Sequence, residues 1–155
     1  MSWRARLVEL GIELPDVVTP LASYVPAVRS GTAVYTSGQL PIQQGALVRT
    51  GKLGDQVSPE DGYALARLCA LNALAAVDAL VGLDSVARVV KVVGFVASAP
   101  SFNGQPAVIN GASELLGEVF GAAGAHARSA VGVCELPLDA PVEVELIVEL
   151  KPATE

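Results

Sequence analysis

Residues 142–150 alternate almost without fault. Val142, Val144, Leu146, Val148 and Leu150 fall on one side, and Glu143, Glu145, Ile147 and Glu149 on the other. A period of two is the mark of a β-strand with one buried face. Residues 126–134 read as a second strand, joined to the first at residues 136–141 as a hairpin. In that register Val131 and Val133 sit beside the valines, while Arg128, Ala130, Gly132 and Cys134 share the face of the carboxylates. A face with one arginine, several carboxylates and small residues is either a solvated surface or a site.

The pattern upstream supplies the rest of the domain. Residues 2–10 predict a short amphipathic helix, stopped by Gly11 and Pro15. Residues 21–28 and 32–37 predict two strands about a turn at Arg29-Ser30-Gly31, followed by a Gly38-Gln39-Leu40-Pro41 break and a polar, Gly-rich loop or irregular hairpin over 43–58. Ser58-Pro59-Glu60-Asp61 is a strong helix start, with a hydroxyl cap, proline at the first position and acids in the first turn. That helix is expected over 59–81, ended by Gly82, with Leu65, Leu68, Cys69, Asn72, Ala76, Ala79 and Leu80 inside. The β-branched run 86–97 is apolar on both faces and predicts a central strand. Residues 106–120 predict a second long helix burying Val108, Ala112, Leu115 and Val119. The order of elements gives an α+β domain: a mainly antiparallel sheet with two helices packed on one face, the other face left for a partner.

Composition adds three constraints. The chain has 155 residues, 52% of them hydrophobic and only 17% charged, so one domain with buried subunit contacts is expected. A net charge of −6 without a basic cluster argues against nucleic acid as partner. Arg4, Arg6 and Glu9 interrupt the amino terminus, and no run of about 18 apolar residues is present, so neither a signal peptide nor a membrane span is expected. Cys69 and Cys134 lie far apart without metal-like spacing and are read as reduced thiols of a cytoplasmic protein.

Three stretches, taken together and in order, resemble the RidA/YjgF family of reactive imine and enamine deaminases. They are Tyr35-Thr36-Ser37-Gly38-Gln39-Leu40-Pro41, Val108-Ile109-Asn110, and His126-Ala127-Arg128-Ser129 through Leu136-Pro137 to Val142-Glu143-Val144-Glu145. The resemblance implies a chorismate-mutase-like fold over residues 21–150, with 1–20 an amino-terminal extension packed on the domain and 151–155 a tail. It implies a homotrimer with ligand clefts between subunits, no cofactor and no metal. The reaction it implies is hydrolysis of small enamine or imine carboxylates, such as 2-aminoacrylate, to 2-keto acids and ammonia.

Residue by residue, the resemblance makes Arg128 the group that binds the substrate carboxylate and Glu143 the acid that orients or activates water. A guanidinium can hold a carboxylate through two parallel hydrogen bonds, and an imine carbon is electrophilic enough to need only placed water and one proton-transfer group. Tyr24 would line the cleft, Ser37 and Gly38 the turn beside the ligand, and Asn110 would be the helix-borne polar group. Where the archetypal deaminases carry a cysteine, this chain has Ala130, and His126 stands close by. The hairpin register puts Arg128 and Glu143 about six residues, roughly 20 Å, apart on one face, so that two chains would supply them. The same register allows a plainer role, an Arg128–Glu149 pair across the strands. A non-catalytic trimeric binder of a small carboxylate is the alternative function, and RNA cleavage is the reading that the charge disfavours most.

Overall fold

The computed structural model describes residues 2–152; residues 153–155 of the expected tail lie outside the described residues. The first helix, α1 (Trp3–Glu9), is capped by the Ser2 side chain, which accepts from the Ala5 N–H. Its Leu7 enters the core, and Trp3 packs edge-on against Phe120, 5.1 Å between ring centres, while its indole N–H donates to the Val86 carbonyl. The second helix, α2 (Pro59–Val81), begins at the predicted cap: Ser58 accepts from the Asp61 N–H at 3.1 Å, and Gly82 ends it at φ +78°.

Leu65, Cys69, Asn72 and Ala76 are buried as expected, but Ala79 and Leu80 are exposed and Leu68 only half-buried. Ala66, Ala70, Ala73, Leu74 and Val77 complete a wide inner face. Two partners explain the width, because α2 packs on the sheet and also along the third helix, α3 (Gln105–Phe120). The helices approach closely where Gly111 of α3 meets the Tyr63 backbone; a Cβ there would collide with the Tyr63 carbonyl oxygen. The expected inner residues of α3, Val108, Ala112, Leu115 and Val119, are all buried.

The strands are β1 (Ala27–Ser30), β2 (Ala33–Thr36), β3 (Ile42–Gln43), β4 (Ala46–Leu47), β5 (Val86–Ala97), β6 (Ala127–Val133) and β7 (Val142–Leu150). Residues 21–24 form bends rather than a strand; β1 starts only after Pro26, which has no N–H to give a ladder. The turn falls at Gly31-Thr32, since Ser30 pairs with Ala33 and Gly31 has φ +62°. The 43–58 region holds the two-residue hairpin β3–β4, whose Gln44 and Gly45 both have positive φ, as a type I′ turn requires.

The main sheet runs β1-β2-β7-β5-β6, antiparallel throughout except for the parallel β5–β6 pair linked by α3. The expected β6–β7 hairpin is therefore wrong. Both strands flank β5, and the connection 134–141 crosses over its end. The physical reason is β5 itself: twelve residues, apolar on both faces, must be hydrogen-bonded on both edges, so it claims both neighbours.

The register that follows reverses one face assignment. Arg128 pairs with Val92 and Ala130 with Gly94, residues that face the helices; Val92 is fully buried, and a Cβ on Gly94 would strike Ile109 of α3. Arg128, Ala130 and Gly132 thus point toward α3, and Val131 faces away, exposed. On the side away from the helices, Val28, Tyr35, Ile147 and Lys91 form one row across the sheet, and Glu143, Phe95 and Val131 another. No described element covers that face.

Candidate functional site

Arg128 stands on the edge strand β6, beside the first turns of α3. Its Nη1 donates to Asn110 Oδ1 at 2.8 Å and to Ser113 Oγ at 3.2 Å, and its Nη2 to the Pro106 carbonyl at 3.1 Å. All three acceptors are neutral. Among the described residues, no carboxylate lies within 4.0 Å of it, and the Arg128–Glu149 pair does not form because β7 and β6 are not neighbours. A guanidinium has five N–H donors, and three are used here. The remaining two, one on Nε and one on Nη2, are the number a carboxylate needs for bidentate capture.

The helix supplies this cradle by ordinary spacing. Asn110 and Ser113, three residues apart, share one face of α3 and meet the strand together. His126, at the entrance to β6, lies against Ser113 Oγ through Nε2 at 2.9 Å and against the Gly124 carbonyl through Nδ1 at 2.6 Å. The structure thus joins Arg128, Asn110 and His126 into one group, with Ala130 two residues farther along the same face. Ser113 is the member that the sequence reading missed; its i+3 relation to Asn110 was the available signal. Gln105, at the start of α3, is a second, donating to Ser98 Oγ and the Phe102 carbonyl beside Gly132.

Glu143 stands on the opposite face of the sheet. Gln39 pairs with Val144 while Tyr35 pairs with Ile147, so Thr36, Ser37 and Gly38 oppose only Leu146 and Glu145. This is a bulge, the usual device for re-aiming a strand. Thr36 Oγ1 repairs the ladder by accepting from the Leu146 N–H at 2.9 Å. The bulge brings Gly38 onto the Glu143 carboxylate so closely that a Cβ at position 38 would occupy the place of Oε1. Only glycine fits.

Ser37 Oγ donates to the Val25 carbonyl at 2.6 Å and so pins residues 24–26 to the bulge. Tyr24, half exposed, lines one crevice with Gly38 and Gln39. Asn72, fully buried on α2, donates to the carbonyls of Leu40 and Ile42 at 3.0 and 2.9 Å and anchors the far side of the same loop. Glu143 itself accepts no hydrogen bond from the described residues. Partial burial, and secondarily the charge of Glu145, raises its carboxyl above the usual carboxylate range.

The predicted residues thus fall into two groups: Arg128, Asn110, Ala130 and His126 toward the helices, and Glu143, Gly38, Ser37 and Tyr24 on and around the open side. In the observed register Arg128 is level with Val92 and Glu143 with Phe95, an offset of three residues along β5 and two strands across it. That is about 14 Å between Cα atoms rather than 20 Å, and the side chains diverge to opposite faces. One chain does not bring them together. No group of three or more His, Cys, Asp or Glu side chains suited to a metal occurs among the described residues.

Residues 4–150 match the family model described as "YjgF/chorismate_mutase-like, putative endoribonuclease". The chain belongs to the YjgF family. Membership accounts for the mixed fold, with a sheet carrying two long helices on one face. Among its relatives is Protein TCP17 of Trypanosoma cruzi, 48% identical over 94% of this chain and 92% of that one. A 2-iminobutanoate/2-iminopropanoate deaminase of Dermatophagoides farinae is 34% identical over 90% of this chain and 95% of its own length. Among solved structures, the protein Atu1372 of Agrobacterium tumefaciens, described as of unknown function, superposes with a TM-score of 0.88 at 46% identity, covering 96% of this chain and 92% of that one.

Proposed function

We propose that this chain hydrolyses small reactive enamine or imine carboxylates of the 2-aminoacrylate type to 2-keto acids and ammonia, in clefts completed by neighbouring copies of itself. The observation that carries the reading is the state of Arg128. Among the described residues it is oriented by three neutral acceptors, matched to no carboxylate, and left with two free donors. Family membership and the deaminase relative agree with it.

The chemistry is short. The substrate carboxylate docks on Arg128, which places the imine carbon. Water adds to that carbon in the imine tautomer, giving up a proton to Glu143, whose raised pKa makes it a stronger base than an ordinary carboxylate. Glu143 returns that proton to the nitrogen, giving the carbinolamine; the new hydroxyl then passes its own proton to nitrogen as the C–N bond breaks and the C=O forms, and ammonia leaves a 2-keto acid behind. No cofactor takes part.

The assembly is proposed as a homotrimer. Supporting it are the divergence of Arg128 and Glu143 to opposite faces and the uncovered apolar residues Val28, Tyr35, Phe95 and Val131. Two free cysteines, Cys69 buried and Cys134 exposed, favour a reducing, cytoplasmic setting.

The purified protein is expected to speed pyruvate release from 2-aminoacrylate generated in situ, and Arg128→Ala to abolish that acceleration. Wild type no faster than buffer would sink the proposal. Light scattering should give three times the 15.8 kDa chain mass. A binding module without turnover is the second reading, favoured by Ala130, which packs beside the core where the archetype has a thiol. Saturable pyruvate binding without catalysis would select it.

A further inference from the structure

The family resemblance gives Arg128 a role but gives none to Ser113 or to His126, which are hydrogen-bonded to each other beside it. We infer that Ser113 and His126 are a positioning pair that fixes Arg128 for an anionic ligand through a directional, uncharged hydrogen-bond relay. The inference rests on Arg128 being the ligand-binding cation of the proposed function, and it concerns how that cation is held.

The direction of each bond follows from what its atoms can do. A carbonyl oxygen only accepts, so the 2.6 Å contact between His126 Nδ1 and the Gly124 oxygen places a hydrogen on Nδ1. In the neutral ring Nε2 is then an acceptor. The group facing it, Ser113 Oγ at 2.9 Å, must therefore give its hydroxyl hydrogen to His126. That turns the oxygen lone pairs of Ser113 toward the remaining neighbour, Arg128 Nη1 at 3.2 Å. Three rotors that could each settle in several ways are reduced to one arrangement: Arg128 to Ser113, Ser113 to His126, His126 to the backbone of Gly124.

The backbone end is rigid. Gly124 is buried, and a Cβ there would strike the Leu116 carbonyl, so it is pressed against α3 and cannot drift from the ring. The relay thus runs from α3 to the residue before β6 and back, and ties the strand bearing Arg128 to the helix bearing Asn110.

The consequence for ligand choice is electrostatic. An arginine oriented by Asp or Glu has spent much of its charge before a ligand arrives. Here the orienting groups are a hydroxyl, an amide oxygen and a backbone carbonyl, so the full cationic charge is kept for the incoming anion. A carboxylate is the ligand class that this arrangement is built to take.

The relay has a signature that mere packing would lack. Nitrogen-detected NMR of the wild-type protein under mildly alkaline conditions should find His126 with the hydrogen on Nδ1 and none on Nε2. Ser113→Ala and His126→Ala should each weaken pyruvate binding by about tenfold, the order expected for loosening one hydrogen bond to a charged group. Ser113→Thr, which keeps the hydroxyl, should restore most of it. A ring found with its hydrogen on Nε2, or alanine variants that bind pyruvate as wild type does, would overturn the inference. If Arg128→Ala bound pyruvate normally, the proposed function would fail; if Arg128→Ala lost pyruvate binding while Ser113→Ala and His126→Ala kept it, Arg128 would remain the binding cation and the relay alone would fail.

Discussion

The two halves of the candidate site are held by opposite means. Arg128 is caught in a net: three acceptors on α3 hold its guanidinium, and Ser113 passes the constraint on to His126. Glu143 has no such net. Shape holds it, because the bulge at Ser37-Gly38 presses a residue without a side chain against its carboxylate. The contrast suits the two tasks proposed for them. A binding cation gains from being fixed before the ligand arrives, since the cost of ordering it is then already met. A proton-transfer carboxylate gains from being unpaired and partly dry, since hydrogen bonds to the charged form would pull its pKa back down.

The largest test of this contrast is Glu143→Gln. Turnover of 2-aminoacrylate should fall by about 10²–10⁴-fold, the range for removal of a general acid or base, while pyruvate affinity stays within about twofold of wild type. Equal losses in both would show that the halves are not separate. Next comes Asn72→Ala, which strips the buried donor from two carbonyls behind the bulge. The loss should be about 2–4 kcal/mol, read as a lower urea midpoint, with the Arg128 half unaffected in the surviving folded protein.

Gly38→Ala is smaller and more pointed. The new methyl group must push the Glu143 carboxylate aside, so turnover should drop about tenfold with pyruvate binding unchanged. Unchanged turnover would mean that the carboxylate's position is not critical.

The smallest effect is one of stability. Folding raises the Glu143 pKa, so the protonated form is favoured in the native state and the charged form costs stability above that pKa. Removing the charge with Glu143→Gln should raise Tm slightly at neutral pH, and the gain should fade as pH falls below the carboxylate range. A gain that persists in acid would place its cause elsewhere.

Most of the fold was legible in the sequence because its strongest signals were local. Ser58-Pro59 and Gly82 bracket α2 without help from the rest of the chain, and the apolar run of β5 declares a central strand. The pairing of strands was not local. Residues 126–134 and 142–150 are each regular strands close in sequence, and nothing within them reports that β5 lies between. That one error moved Arg128 to the wrong face. The site residues themselves came from motif resemblance, which names positions but not neighbours. Ser113 went unnoticed because its i+3 spacing from Asn110 marks a shared helix face but does not report that β6 lies beside it. Tyr24 was expected on a strand and lies in a bend, where Pro26 and the Ser37 hydroxyl set the backbone.

The sheet that separates Arg128 from Glu143 also separates the fates of mutations in them. In the proposed assembly, damage to either group would be borne by the cleft in which that copy of it sits, while the other group of the same chain would still serve a different cleft. Two chains with different lesions, each inactive on its own, would then have what is needed to rebuild an intact site when they assemble together. In genetic terms, alleles of this gene would complement one another within a single protein, and an inactive copy would impair its assembled partners without silencing them all.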